Sequence, residues 1–209
     1  MGSQTIEVSA LLLAQTAFGF EDHAPVEAWN PLVDESAVGT LPQGISPEGL
    51  KALFRDHPAG VAVVTTDGPD GPVAMTASSL FSVSVAPPLV VFSASALSSS
   101  TPALLAADTV VVHLIDSESV DIAILGATSN IDRFANPDQW SRLPGGEPYY
   151  LKPSKRFRAK VVNTLDAGAA TLIVLEVLEG WVEERSTHPL VYHSRAWHTI
   201  GEHSLLNIP

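Results

Sequence analysis

The chain has 209 residues, with 11 Lys and Arg against 23 Asp and Glu, a formal net charge of −12 and no cysteine. So acidic a balance argues against nucleic acid or an anionic membrane as partner, because either needs a basic face. Without cysteine there are no disulfides, thiol nucleophile or thiolate metal site, which fits a reducing, cytoplasmic compartment.

In chain order, residues 1–44 form an acidic arm. It carries Glu7, Glu21, Asp22, Glu27, Asp34 and Glu35 but no Lys or Arg, and Pro25, Pro31 and Pro42 interrupt any long helix. Its apolar run at 10–20 is too short to span a bilayer and lacks the preceding positive charge of a signal peptide. The domain proper is expected over 45–209. Ser46 is a good N-cap, Pro47 suits the first helical position, and Leu50, Leu53 and Phe54 share one face before Pro58 stops the run. Strands are expected at 61–66 and 73–79 around a turn at 67–71, then at 89–93, 109–115, 158–164, 171–177, 181–185 and 190–193. Short helices are expected at 102–106, 120–125 and 131–134. Many short strands with few helices predict a mainly β fold, a barrel with short decorating helices.

The stretch 57–95 alternates apolar strand runs with small hydroxyl residues and carries almost no charge. Thr76, Ser78, Ser79, Ser82 and Ser84 offer short donors and acceptors, while Ala74, Ala77 and Ala86 let a flat ligand approach the backbone. No catalytic acid or base is expected there, since Asp67 and Asp70 sit in a turn and His57 at its start. The chemistry then belongs to a cofactor. GxGxxG, GxxxxGK[ST], GxSxG and HExxH are all absent. His188, His193, His198 and His203 recur every five residues, which alternates faces on a strand and turns about 140° per step on a helix, so no metal site is expected. A basic cluster, Lys152, Lys155, Arg156, Arg158 and Lys160, reads either as a solvated strand edge or as a phosphate-attracting rim.

Several separate motifs occur in order: HPAGVAVVTT from His57, PVAMTASSLFSVSVAPPLVVFSAS from Pro72, SSST at 98–101, DRFA at 132–135 and PLVYHSRAWHTI from Pro189. Over residues 46–200 the chain thereby resembles the flavin reductase family of FMN-binding split β-barrel proteins. The resemblance implies hydride transfer from NADH or NADPH to FMN or FAD, a homodimer, and delivery of reduced flavin to a monooxygenase. It implies that Thr76, Ala77, Ser78, Ser79 and Ser93 bind the cofactor, with Ser78 and Ser79 at the isoalloxazine edge, and that Ser99, Ser100 and Thr101 hold the phosphate. Phe134 either stacks on the flavin or caps the barrel end, and Trp197 and His198 fall near the nicotinamide. The chain departs from the family where Gly-Asp-His is usual and Gly168, Ala169 and Ala170 stand, and where His113 replaces an asparagine. Those departures leave a second reading open, a barrel that binds flavin or another planar cofactor without nicotinamide turnover.

Overall fold

The computed structural model describes residues 44–184, 187–206 and 208. All of the expected acidic arm except Gly44 thus lies outside the described residues. The chain divides between Phe54 and Arg55 into two units. In the first, helix α1 (Pro47–Phe54) begins where the sequence predicts, with the Ser46 Oγ accepting a hydrogen bond from the Gly49 amide at 3.1 Å. None of its residues is buried.

The second unit runs β1 (Ala59–Gly60), β2 (Ala62–Gly68), β3 (Gly71–Ala77), β4 (Phe81–Ser84), β5 (Leu89–Ser95), α2 (Thr101–Ala106), β6 (Thr109–Leu114) and α3 (Val120–Ala127). It continues with β7 (Trp140–Arg142), β8 (Pro148–Tyr150), β9 (Lys155–Ala167), β10 (Ala170–Val182), β11 (Leu190–His193) and β12 (Ala196–Thr199). Seven strands form one antiparallel sheet in the order β3-β2-β6-β9-β10-β5-β4. A smaller sheet, β1-β11-β12, and the β7-β8 hairpin accompany it. Among the described residues no helix is long and apolar enough to cross a membrane.

The interior follows from strand alternation. Ala62 and Val64, Met75 and Ala77, Phe92 and Ala94, Val110 and Val112, and Ile173 and Leu175 each lie two apart on their strand, and with Ala159 and Leu104 they make the main core. The opposite face of β2 and β3 is buried as well. Val63 and Ala74 pack there with Ile122, Ala123, Phe134, Tyr150 and Leu190. Burial on two faces is why 61–64 reads as an unbroken apolar run rather than an alternating one.

The main sheet rolls up until β3 and β5, which form no ladder, meet at one side chain. The Ser79 Oγ accepts a hydrogen bond from the Ser93 amide at 2.9 Å and lies 3.3 Å from the Ser93 carbonyl, standing in for a strand rung. The seam is reinforced from below, where the buried Ser100 hydroxyl donates to the Ala74 carbonyl at 2.8 Å and Thr101 Oγ1 to the Ser95 carbonyl at 2.6 Å. This is a barrel closed by hydroxyls, a split barrel in its simplest sense.

Two expected elements differ. Of the strand expected at 181–185, residues 181–182 are the end of β10, 183–184 are not strand and 185 lies outside the described residues; β9 and β10 form a hairpin of two 13-residue strands carrying two register shifts. The bulges break the simple alternation, so β10 reads as two shorter strands and β9 as one shortened strand, 158–164. Residues 131–134 form a turn, not a helix, in which the Asp132 carboxylate accepts the Phe134 amide at 2.9 Å. The apolar runs 61–64 and 91–92 are buried within the chain, whereas Leu89 and Val90 are half-buried. Val61 to Val64 are at most 5 % exposed and Phe92 is fully buried.

Candidate functional site

A cavity of about 600 Å³ opens over the seam between β3 and β5. One wall is Met75, Thr76 and Ala77 of β3 continuing into Ser78 and Ser79, with Ser93 and Ser95 of β5 beside it. The Ser-rich loop adds Leu97, Ser98 and Ser99, and the facing wall is Gly126 and Ala127 of α3 with Ser129, Asn130 and Arg133. Six of the expected site residues, Thr76, Ala77, Ser78, Ser79, Ser93 and Ser99, thus line a single cavity. Its volume is in the range of small-molecule and cofactor sites.

The hydroxyls are not equivalent. Those of Ser79, Ser100 and Thr101 are engaged in the seam bonds described above, and that of Thr76 donates to the Ala123 carbonyl at 2.7 Å. Ser100 and Thr101 are buried beneath the cavity and do not line it. Ser78 and Ser99 are exposed at its surface.

Helix α3 approaches β3 closely at Gly126. A Cβ there would lie 2.5 Å from Thr76 Oγ1 and 3.2 Å from the Thr76 amide, so only glycine lets the helix end form the second wall. Beyond it Asn130 adopts φ 60°, turning the chain so that Arg133 comes back to the cavity. Arg133 donates to the Ser100 hydroxyl at 3.2 Å and to the Thr128 carbonyl at 2.7 Å, while its buried Nε has no partner. It is the one titratable side chain among the lining residues.

Phe134 points elsewhere. It is 7 % exposed, stacks on Tyr150 with centroids 5.1 Å apart, and meets Trp140 edge-on at 5.1 Å. The Tyr150 hydroxyl donates to the Arg133 carbonyl at 2.8 Å, and the Trp140 indole to the Phe134 carbonyl at 3.0 Å. The aromatic trio therefore anchors the loop that presents Arg133. In the DRFA motif the sequence reading settled on the aromatic ring and passed over its neighbour. The available signal for Arg133 is scarcity, since it and Arg195 are the two Lys or Arg residues in the quoted motifs.

Three of the five basic residues at 152–160 are engaged. Lys152 binds both Asp121 oxygens at 2.8 Å. Arg158 pairs with Glu147 at 2.6 Å, and Arg156 lies over the Tyr149 ring at 4.6 Å and 3.5 Å from Glu183. Burial works to raise the Glu147 carboxyl, but hydrogen bonds from Thr109 and Arg158 hold it below the usual carboxylate range. None of these basic residues lines the cavity.

His113 is a satisfied core histidine. Its Nδ1–H donates to the Val63 carbonyl at 2.9 Å and its Nε2 accepts the Tyr150 amide at 3.0 Å, which fixes the neutral ring. Burial, opposed by the Val63 hydrogen bond, lowers its pKa to about 4. Trp197 and His198 are adjacent on β12 and so face opposite sides of the β11-β12 hairpin. Trp197 packs on Tyr192 at 4.8 Å, His198 on His193 at 5.5 Å, and neither lines the cavity. Ala170, where the family resemblance calls for histidine, pairs directly with the cavity-lining Ser95. The turn before it is a two-residue hairpin with Gly168 at φ 68°.

Residues 54–201 match the family model of the flavin reductase like domain. The chain belongs to the flavin reductase family. It is 39 % identical over 161 residues to an NADH:FMN oxidoreductase of Rhodococcus qingshengii, covering 76 % of this chain and 84 % of that one. In structure it is similar to a flavin reductase domain protein from Arthrobacter sp. FB24, with TM-score 0.70, 31 % identity, and 76 % and 98 % of the two chains covered. It is also similar to BorF, the flavin reductase component of a bacterial two-component tryptophan halogenase, with TM-score 0.67, 28 % identity, and 75 % and 99 % covered. The family match begins at the end of α1 and spans the barrel and the whole cavity wall, so the flavin reductase-like part of this chain is the unit in which the cavity lies.

Proposed function

We propose that this protein is an NAD(P)H-dependent flavin reductase that supplies reduced FMN or FAD to a separate monooxygenase component. The observation that carries the reading is the hydroxyl-lined cavity at the barrel seam, whose lining holds one cation and no acid, base or nucleophile pair. Such a cavity suits a reaction that needs alignment and no proton relay from the protein. The R. qingshengii relative named as an NADH:FMN oxidoreductase supports the nucleotides, and BorF, named as a component of a two-component system, supports a separate acceptor enzyme.

The residues fit a flavin. Small side chains at Ala77, Ser78, Gly126 and Ala127 leave room for a planar ring against backbone on both walls, and Arg133 with Ser98 and Ser99 offers donors to a phosphate. Flavin, when bound, supplies the hydride-accepting ring. The chain's own work is to hold that ring against β3, to leave its other face open to a nicotinamide, and to neutralise phosphate charge through Arg133. The homodimer and the cytoplasmic location belong to the same proposal. Exposed Phe81, Val83 and Val85 on and just after β4, at 60, 42 and 92 %, are the apolar surface that supports a second subunit.

The experiment is anaerobic mixing of the flavin-loaded protein with NADH and with NADPH, followed by flavin absorbance. Bleaching by either is expected, at a rate that rises in Ala170→His because an imidazole beside Ser95 can orient the nicotinamide. Bound flavin that neither nucleotide bleaches would make the protein a flavin-binding barrel without turnover.

A further inference from the structure

Along one strand or helix the five-residue recurrence of histidines gathers nothing, but the chain folds back on itself and sorts them into pairs. His193 and His198 meet across the β11-β12 hairpin, and His188 meets His203 with ring centroids 6.0 Å apart and planes at 86°. The second pair combines three features.

Both of its imidazoles aim the same nitrogen at one spot. A Cβ built on Gly201 would lie 2.8 Å from His188 Nδ1 and 3.4 Å from His203 Nδ1, so the two Nδ1 atoms border a notch that exists because residue 201 has no side chain. The tautomer of His203 is also set. Its Nε2 lies 3.2 Å from the Thr199 carbonyl, which can only accept, so Nε2 carries the hydrogen and Nδ1 presents its lone pair to the notch. A ring nitrogen held by a backbone carbonyl while the other faces outward is the usual support of a metal-binding histidine. Finally, both backbones are fixed. The His188 carbonyl accepts the Ser117 amide at 2.8 Å, and His203 sits in the turn Glu202–Ser204 closed by hydrogen bonds of 3.0 and 2.8 Å between Ser204 Oγ and Gly201.

We infer that His188 and His203 form a binding site for a divalent transition-metal ion, through Nδ1 of each ring, in the notch at Gly201. Two imidazoles on one tetrahedral ion, at nitrogen distances of about 2.0–2.1 Å, stand with centroids roughly 5 Å apart, so a closure of about 1 Å by two exposed rings completes the pair. Among the described residues no group of three His, Cys, Asp or Glu gathers here, so the ion would take its other ligands from water. Imidazole ligation selects copper, nickel and zinc over magnesium and calcium. The ion would tie the 201–206 segment to the strand-like stretch before β11, at a point outside the cavity over the seam.

The test is calorimetric titration of the untagged full chain with Cu²⁺, Ni²⁺, Co²⁺ and Mg²⁺. One equivalent is expected to bind in the order Cu²⁺, Ni²⁺, Co²⁺, with no heat from Mg²⁺. His188→Ala and His203→Ala should each weaken Ni²⁺ by at least roughly tenfold, the scale seen when metal-site support is removed, and His193→Ala should not. Gly201→Ala is the sharper variant. Its backbone is extended, at φ 179°, so alanine adds no backbone strain, yet its methyl would meet His188 Nδ1 and Cε1 at 2.8 and 3.0 Å, fill the notch and weaken Ni²⁺ with both histidines intact. Unchanged Ni²⁺ affinity in both histidine variants, loss only in His193→Ala, or no binding to the parent chain at millimolar metal would each overturn the assignment.

Discussion

Arg133 concentrates the recognition chemistry of the cavity in one side chain. Its guanidinium is held by Ser100 and Thr128 but keeps an unpartnered buried Nε, so it has capacity for an anion. Arg133→Gln should therefore lower FMN affinity by at least roughly tenfold, about 1.4 kcal/mol, while leaving riboflavin, which lacks the phosphate, unaffected in the same fluorescence titration. Equal loss for both ligands would mean that the arginine shapes the wall and does not read phosphate. His113 makes a different kind of prediction. Because its folded pKa lies near 4 and its ordinary value is 6.5, the unfolded chain takes up this proton first as the medium is acidified. Stability from this group is complete above about pH 6.5 and is lost progressively down to about pH 4, a total of about 3 kcal/mol. Urea unfolding at several pH values should show that slope in the parent and a shallower one in His113→Gln.

Helix α3 is where local geometry and binding converge, because its last turn is both packed on β3 and part of the cavity wall. Gly126→Ala must push the helix from Thr76 by several tenths of an ångström, so we expect a loss of about 1–3 kcal/mol in stability together with weaker flavin binding. Normal flavin titration in this variant would remove α3 from the site. This helix also shows what the sequence can and cannot disclose. Its span was close to readable from the apolar run after Ser119, and the Ser46-Pro47 start of α1 was readable from capping chemistry alone. Its role as the second wall was not, since no pattern along the chain records which strand a helix will press against. The first wall was legible because small hydroxyl and alanine residues follow one another through β3 and β5. Arg133 and Asn130 were missed for the opposite reason, as isolated residues in a turn that periodicity ignores. The bulged β9-β10 hairpin was read in pieces because its register shifts erase the alternation that marks a strand.

Exposed apolar side chains occur on and just after β4, an edge strand of the main sheet, at Phe81, Val83 and Val85, as well as on the long hairpin at Val162, Leu165, Leu178 and Val182. Light scattering at micromolar concentration should give twice the chain mass, and Val85→Glu, at a position 92 % exposed, should shift it to a monomer without unfolding it. A monomer mass for the parent chain would leave that surface to a different partner. The seam between β3 and β5 has a consequence of its own. Every neighbouring pair in the main sheet is held by a ladder, whereas the seam relies on the hydroxyls of Ser79, Ser100 and Thr101, so the least costly opening of the barrel runs along it. Amide hydrogens at Ser79 and Ser93 should accordingly exchange with deuterated water well before those in the middle of β9 and β10. A molecule lying across the seam and touching both walls supplies the contacts that a missing ladder would have made. Flavin should thus slow exchange on β3 and β5 together, and raise the melting temperature, as though the barrel had gained a strand pairing that its own backbone never forms.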